Sequence, residues 1–312
     1  MQSLWMLFAT FMFAAMGVCV KLASDLYSTS EIVMYRGIIG TFLLYALTKA
    51  NGGTLKTALP WQHAWRGVVG VAALWMWFYS VGVLPLAMSM TLNYTAPIWI
   101  AAFLFILALR QKKASFEWGL AAAILASFIG ILLLLRPTIA EGQLGSGIIA
   151  LISGLLSALA YLQVRKLGHM GEPEYRVVFY FSVTGVLGGL LGTLLTAVFN
   201  PDAQSVLWHA HTRHGVVLLL AVGILAAIAQ MAMTRAYRLG NALLTANLQY
   251  TGIVFSSLWG IVIWDDALDA LGWFGIALIM ASGIAATFYN VRNTARARSK
   301  DEAVPDAIAN EI

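Results

Sequence analysis

The sequence predicts an all-α integral membrane protein, with ten transmembrane helices arranged as two inverted five-helix repeats. Three observations predict it. Of the 312 residues, 60% are hydrophobic and 11% are charged, whereas a soluble domain carries about 25% charged residues. Apolar runs of roughly 18 to 23 residues recur, and about 20 suffice to cross the hydrocarbon core as a helix. Barrel strands are excluded, because they need only about 9–11 residues and alternate polar with apolar. The third observation is an echo of one polar stretch half a chain later.

The runs fall at about 3–20, 31–48, 64–83, 86–107, 117–135, 145–163, 177–199, 215–236, 241–263 and 270–290. The first is read as a span: no basic residue precedes it and it has no small-x-small cleavage site. Thr10, Gly17 and Lys21 share one of its faces. Cys19 is the single cysteine, so no internal disulfide can form. The second run holds Arg36, in IVMYRGIIG, the one basic residue well inside a span. Burying it costs about 2.5–3.5 kcal/mol on insertion scales, so it is expected to face a cavity or a partner. Glu31, five residues earlier, lies about 140° away on a straight helix. Lys21, at the end of the first span, is set against it instead, either as an outer-gate ion pair or as a plain surface pair.

The third run gathers Trp75, Trp77, Phe78 and Tyr79. The fourth holds LNYTAPIW, residues 92–99. There Ser89, Asn93 and Pro97 share a face, and Pro97, having no N–H, frees the carbonyl of Asn93. The sixth run places Ser153, Ser157 and Tyr161 on one face. Small residues in the fifth, seventh and tenth favour close helix packing. The ninth carries Asn241, Thr245, Gln249, Gly252 and Ser256 within an arc of roughly 80°. Asp269 reads as the N-cap of the tenth. Polar stripes facing lipid would cost several kcal/mol per group. They either join helices, at about 0.6 kcal/mol per hydrogen bond, or line a cavity. Asn93 and Gln249 hold equivalent places in the two halves, which favours the cavity.

With the N-terminus inside, fifteen of the nineteen Lys and Arg residues fall in inside segments and three, Lys21, Arg136 and Arg213, in outside ones. Cytoplasmic loops carry this excess, so both termini are placed inside a bacterial-type inner membrane. The basic balance therefore reflects topology and does not point to nucleic acid. LNYTAPIW returns as LQYTGIVF at 248–255, setting Asn93-Tyr94-Thr95 against Gln249-Tyr250-Thr251. Trp118 and Ser127 likewise match Trp273 and Ser282, and Lys21-Leu22 matches Lys166-Leu167. Five helices per repeat is an odd number, so the second repeat enters from the opposite side. The repeats are set at 1–139 and 140–290, followed by a cytoplasmic, disordered tail at 291–312.

YTAPIW on a fourth helix, returning as YTGIVF on a ninth, resembles the drug/metabolite transporter superfamily, in its EamA-type carriers, over nearly the whole chain to about residue 290. The resemblance implies a ten-helix carrier with a central cavity lined largely by helices 3, 4, 8 and 9, helped by 1, 2, 6 and 7. It implies that helices 5 and 10 pack outside. It also implies a small-molecule substrate: an amino acid, sugar, nucleobase, flavin or nucleotide-like metabolite. An acidic residue often follows helices 4 and 9 in the family. Asp266 matches it, but Arg110-Gln111 stand there in the first half, so the position has no symmetric role.

The resulting expectation is a secondary transporter working by alternating access, first an exporter of amino acids or related metabolites. Uptake of a flavin or an adenosyl-type metabolite is the alternative. The substrate-binding candidates are Asn93, Tyr94, Gln249, Tyr250, Arg36, Trp77, Tyr161 and Thr245, and the gate candidates are Lys21 and Glu31. No cofactor, metal or catalytic constellation is expected, and the chain is not read as an enzyme. His209, His211 and His214 fit no metal-ligand spacing. GQLGSG, at 142–147, lacks the preceding strand that a phosphate loop needs. No carboxylate lies near a midplane, so proton coupling finds no support beyond Glu31.

Overall fold

The computed structural model of the chain describes residues 2–84, 86–110, 117–135, 143–199, 208–265 and 269–302. These form helices α1 (Gln2–Ser24), α2 (Thr29–Ala50), α3 (Pro60–Val83), α4 (Leu86–Asn93), α5 (Ala96–Arg110) and α6 (Trp118–Leu135). They continue as α7 (Leu144–His169), α8 (Glu174–Phe199), α9 (Arg213–Leu239), α10 (Ala242–Gln249), α11 (Thr251–Trp264) and α12 (Ala270–Glu302). No strand occurs among the described residues. Asp266, Gln111, Arg136 and Gly142 lie outside them.

Each expected apolar run is helical, but the fourth and ninth are each split in two, as α4–α5 and α10–α11. Among the described residues, eight stretches are long and apolar enough to cross a membrane: α1, α2, Ser89–Leu107, α7, α8, α9, Ala242–Ile263 and the apolar part of α12. α6 qualifies as a shorter apolar helix. α3 carries Gln62, His63 and Arg66 in its first two turns, which lowers its hydropathy.

Local chemistry sets the helix ends. Ser28 and Glu31 form a capping box at the start of α2, satisfying two backbone donors reciprocally. Asn241 caps α10 by accepting from the N–H groups of Leu243 and Leu244. Asp269 Oδ1 accepts from Gly272 N–H at 3.0 Å, capping α12 as expected. The tail differs from expectation. α12 continues to Glu302, well past the apolar run, because TARARSKDE is rich in Ala, Arg, Lys and Glu, which favour helix even without an apolar face. Residues 303–312 lie outside the described residues.

The most extensive helix pairings are α2 with α8, α1 with α9, α6 with α12 and α3 with α7. Small residues make them close. A Cβ on Gly37 would lie 2.7 Å from Ser182 O and Val186 N of α8, and one on Gly130 would lie 2.8 Å from Gly275 O of α12. Lipid gives helices no hydrophobic reason to associate, so this backbone proximity and its dispersion contacts hold the bundle. α6 and α12 are further joined by a hydrogen bond between Ser127 and Ser282.

Gly37→Ala forces the α2 and α8 backbones apart, and overpacking of this kind costs about 1–3 kcal/mol. We expect its melting temperature in detergent to fall, whereas Gly145→Ala, whose Cβ would meet nothing within 4 Å, should leave it unchanged. Equal melting of the two variants would contradict the seam.

Candidate functional site

The two helix breaks organise the site. α4 stops at Asn93, and Thr95 starts α5: its carbonyl accepts from Ile98 N–H at 2.9 Å and Trp99 N–H at 3.2 Å. Pro97 has no N–H to return to Asn93, so the usual i→i−4 bond is missing there. A Cβ on Gly154 of α7 would lie 2.9 Å from that Asn93 carbonyl oxygen, so α7 can approach the break only because residue 154 is glycine. The second break, at Tyr250, occurs without a proline. The same side-chain bond marks both: Thr95 Oγ1 donates to Leu92 O, and Thr251 Oγ1 to Leu248 O, each at 2.7 Å. The rings of Tyr94 and Tyr250 face each other across the gap, 6.5 Å between centroids.

Beside the breaks lies a cavity of about 270 Å³. Of the sequence-derived candidates, Asn93, Tyr94, Gln249, Arg36, Trp77, Tyr161 and Lys21 line it. Asn93 Nδ2 donates to Ser153 Oγ of α7. Gln249 Nε2 donates to the hydroxyl of Tyr237, whose ring stacks on Tyr161 at 5.7 Å. Tyr250 and Thr245 do not reach the wall. Tyr250 is fully buried behind Tyr94 within the apolar core, and Thr245 sits against Gly240, where a Cβ would meet its Oγ1 at 2.7 Å. The break at Tyr250 divides the polar stripe of the ninth run: Asn241 caps a helix and Thr245 is packed, while Gln249 and Ser256 face the cavity.

α1 contributes more of the wall than any other helix, from Met6 to Ser24, a larger share than the resemblance implied. One charged lining residue, counted in the sequence only among the inside Lys and Arg, was not read as a site residue. Arg66 of α3 is 3% exposed and Arg36 of α2 is 4% exposed. Their guanidinium carbons lie 4.2 and 5.1 Å from the centroid of the same ring, that of Phe181 on α8. Neither takes part in any ion pair among the described residues, and no described Asp or Glu lines the cavity.

The mouth of the cavity is marked by Lys21, Ser24 and Thr29, of which Lys21 and Ser24 are exposed. Nearby, Glu31 is fully buried and its carboxylate accepts from the backbone N–H groups of Ser28 and His209, each at 2.8 Å. His209 Nδ1 lies 2.7 Å from the same carboxylate. His211 sits between the hydroxyls of Tyr35 and Tyr27, at 2.8 and 3.2 Å. These histidines thus tie the segment before α9 to α2; no group able to hold a metal occurs among the described residues.

Polar bonds tie the segment before α3 and the start of α3 to the end of α7 and the start of α8. Gln163 Nε2 donates to Gln62 Oε1, and Tyr180 donates to Leu55 O at 3.0 Å. Arg176 reaches Thr54 O and, at 3.0 Å, Glu172. Thr57 donates to Glu172 at 2.7 Å, and His63 Nε2 lies 3.1 Å from it. Burial pushes the Glu172 carboxyl up, but the hydrogen bonds from Thr57 and Arg176 more than offset this and hold it below its ordinary value of 4.5.

A helical bundle with membrane-length apolar helices, two of them broken beside a largely apolar cavity that carries a few polar and cationic groups, has the build of a membrane solute transporter. The chain belongs to the EamA-like transporter family, within the drug/metabolite transporter superfamily. The family model matches residues 1–136. The pseudopaline exporter of Pseudomonas aeruginosa strain UCBPP-PA14 is 30% identical over 277 residues, covering 89% of this chain and 92% of that protein. A riboflavin transporter of Vibrio cholerae is 26% identical over 304 residues, covering 95% and 96%. An S-adenosylmethionine uptake transporter of Rickettsia bellii is 21% identical over 297 residues, covering 95% of each. A solved crystal structure superposes with a TM-score of 0.76 at 18% identity, over 92% of this chain and 98% of that one, which shows a shared fold. These relatives are named as transporters of small metabolites, and their names indicate transport rather than catalysis.

The depressed Glu172 carboxyl makes a pH prediction. Its stabilisation is fully present above the unfolded value of about 4.5 and is lost as pH falls through the lower folded value. The melting-temperature gap between the wild type and Glu172→Gln should shrink as pH falls below 4.5. A gap that widens over that acid range would contradict the assignment.

Proposed function

We propose that this protein is a secondary carrier in a bacterial inner membrane, with ten spans in two inverted repeats, 1–139 and 140–290, that work by alternating access. α4–α5 and α10–α11 each count as one broken span, and α3 and α6 supply the remaining two. The packing supports the repeat. If the first span answers to the sixth, and so on, the pairing of α1 with α9 exchanges with that of α3 with α7, and both are extensive. α2 with α8 and α6 with α12 map onto themselves, and there Ser127 bonds its own counterpart, Ser282. Matched residues can touch only close to the axis relating the repeats.

The observation that carries the reading is the cavity at the paired breaks, marked at one end by exposed residues. With the termini inside, as the Lys and Arg distribution favours, its mouth faces outward. Asn93, Tyr94 and Gln249 hydrogen-bond the substrate, Arg36 holds its anionic group, and Trp77 and Tyr161 pack on it. Tyr250 and Thr245 shape the site from behind. Lys21 guards the mouth, where Glu31 ties α2 to the segment before α9. Export of an amino acid or a related metabolite is the first reading, in line with the pseudopaline exporter. The aromatic wall, with Phe13, Trp77, Phe78 and Tyr94, favours uptake of a planar flavin or adenosyl compound as the second.

Counterflow in proteoliposomes tests this. With labelled amino acids, riboflavin and S-adenosylmethionine offered in turn, one class should accumulate against unlabelled internal solute. The Asn93→Leu/Gln249→Leu protein should fold and lose at least about 90% of that flux, since each change strips a hydrogen-bonding group from the cavity. Undiminished flux in the double variant would remove the paired breaks from the transport site.

A further inference from the structure

Arg36 and Arg66 present a problem that the fold does not solve by itself. Both are more than nine-tenths buried, both line the cavity, and both face the Phe181 ring, so they lie no farther apart than the two ring distances together. Arg36 Nε, Arg66 Nε and Arg66 Nη1 have no hydrogen-bond partner. Buried charges normally come with a counter-charge, because an unpaired one forfeits its hydration without return. The ring face returns part of this through cation–π attraction, but it supplies no negative charge. Lys21 adds a third cation at the mouth, and no described carboxylate lines the space.

We propose that Arg36 and Arg66 form a two-pronged subsite for a doubly charged anionic group of the substrate: a pair of carboxylates or a phosphate monoester. Two guanidinium forks match two anionic charges, and each fork can bind its oxygens in bidentate fashion. Gly70 belongs to the subsite by its lack of a side chain. A Cβ there would collide with Arg66 Nη1 and lie 3.0 Å from the Phe181 ring, so glycine is what lets the Arg66 head fold back onto that ring. The inference rests on the cavity being the transport site, but its binding test does not require transport.

The test is thermal stabilisation of the purified full-length protein in detergent at matched ionic strength. Malonate and succinate serve as dicarboxylates, inorganic phosphate as the phosphate arm, and acetate and chloride as monoanions. At least one dianion should raise the melting temperature where the monoanions do not. Dicarboxylates alone would identify the substrate group as paired carboxylates, and phosphate alone as a phosphate ester; both outcomes support the subsite. Arg36→Gln and Arg66→Gln should each weaken the dianion response by about tenfold or more. Arg66→Lys should keep part of it, and Gly70→Ala should weaken it without removing any charge.

The unliganded Arg66→Gln protein should melt at or above the wild-type temperature, because an uncompensated buried charge has been removed; loss of a merely structural arginine would lower it. Equal responses to monoanions and dianions, or a dianion response that survives both glutamine variants, would overturn the proposal. Flux measured alongside separates the two readings. Transport of any solute that is unchanged in Arg66→Gln sinks the subsite and leaves the carrier standing. Arginine-dependent dianion binding without any flux sustains the subsite and removes transport from the site.

Discussion

Everything in this fold answers to the absence of water around its helices. In hydrocarbon, a backbone N–H or C=O without a partner costs several kcal/mol, so irregular backbone survives only where protein or a wet cavity surrounds it. The breaks at Tyr94–Thr95 and Tyr250 are therefore constraints on all their neighbours. Thr95 and Thr251 turn their hydroxyls back onto Leu92 O and Leu248 O. Gly154 brings α7 against the freed carbonyl of Asn93. Ser153 and Tyr237 meet the two amide side chains. The polar residues gather at this depth because the broken helices need them there, and the cavity is where their remaining capacity is exposed.

The same constraint explains the glycine seams. With no water to expel between helices, association depends on backbones coming close enough for dispersion contacts to accumulate. Gly37 and Gly189 make this possible between α2 and α8, as Gly130 and Gly275 do between α6 and α12. α1 and α3, by contrast, both line the cavity and share no extensive pairing. Tight seams on the flanks and an open gap between those two helices leave a space with definite walls.

How much of this was legible in the sequence depended on whether a signal was local. The membrane class, the apolar runs and the polar face of the fourth run were all local and could be read, and so could Arg36, since no other basic residue lies deep in a run. Pro97 announced the first break. The second could not be read, because Tyr250 has no proline near it. Arg66 was missed because it stands at the edge of the third run, where a basic residue reads as part of the loop. Only the fold shows that its head lies back against Phe181. The partnership of Glu31 with His209 spans most of the chain, and no local pattern encodes it. The helical extension of α12 was hidden because a search for apolar periodicity overlooks a helix built on propensity alone.

Arg36, Arg66 and the Phe181 ring reach the cavity from α2, α3 and α8, while α1 adds Phe13, Ala14 and Gly17 to its lining. A Cβ on Gly17 would meet nothing within 4 Å, so that wall has slack. In the proposed subsite, a solute anchored by its charge at Arg36 and Arg66 would meet α1 with its uncharged end, so charge and size would be read by different helices, as by a ruler with a fixed stop.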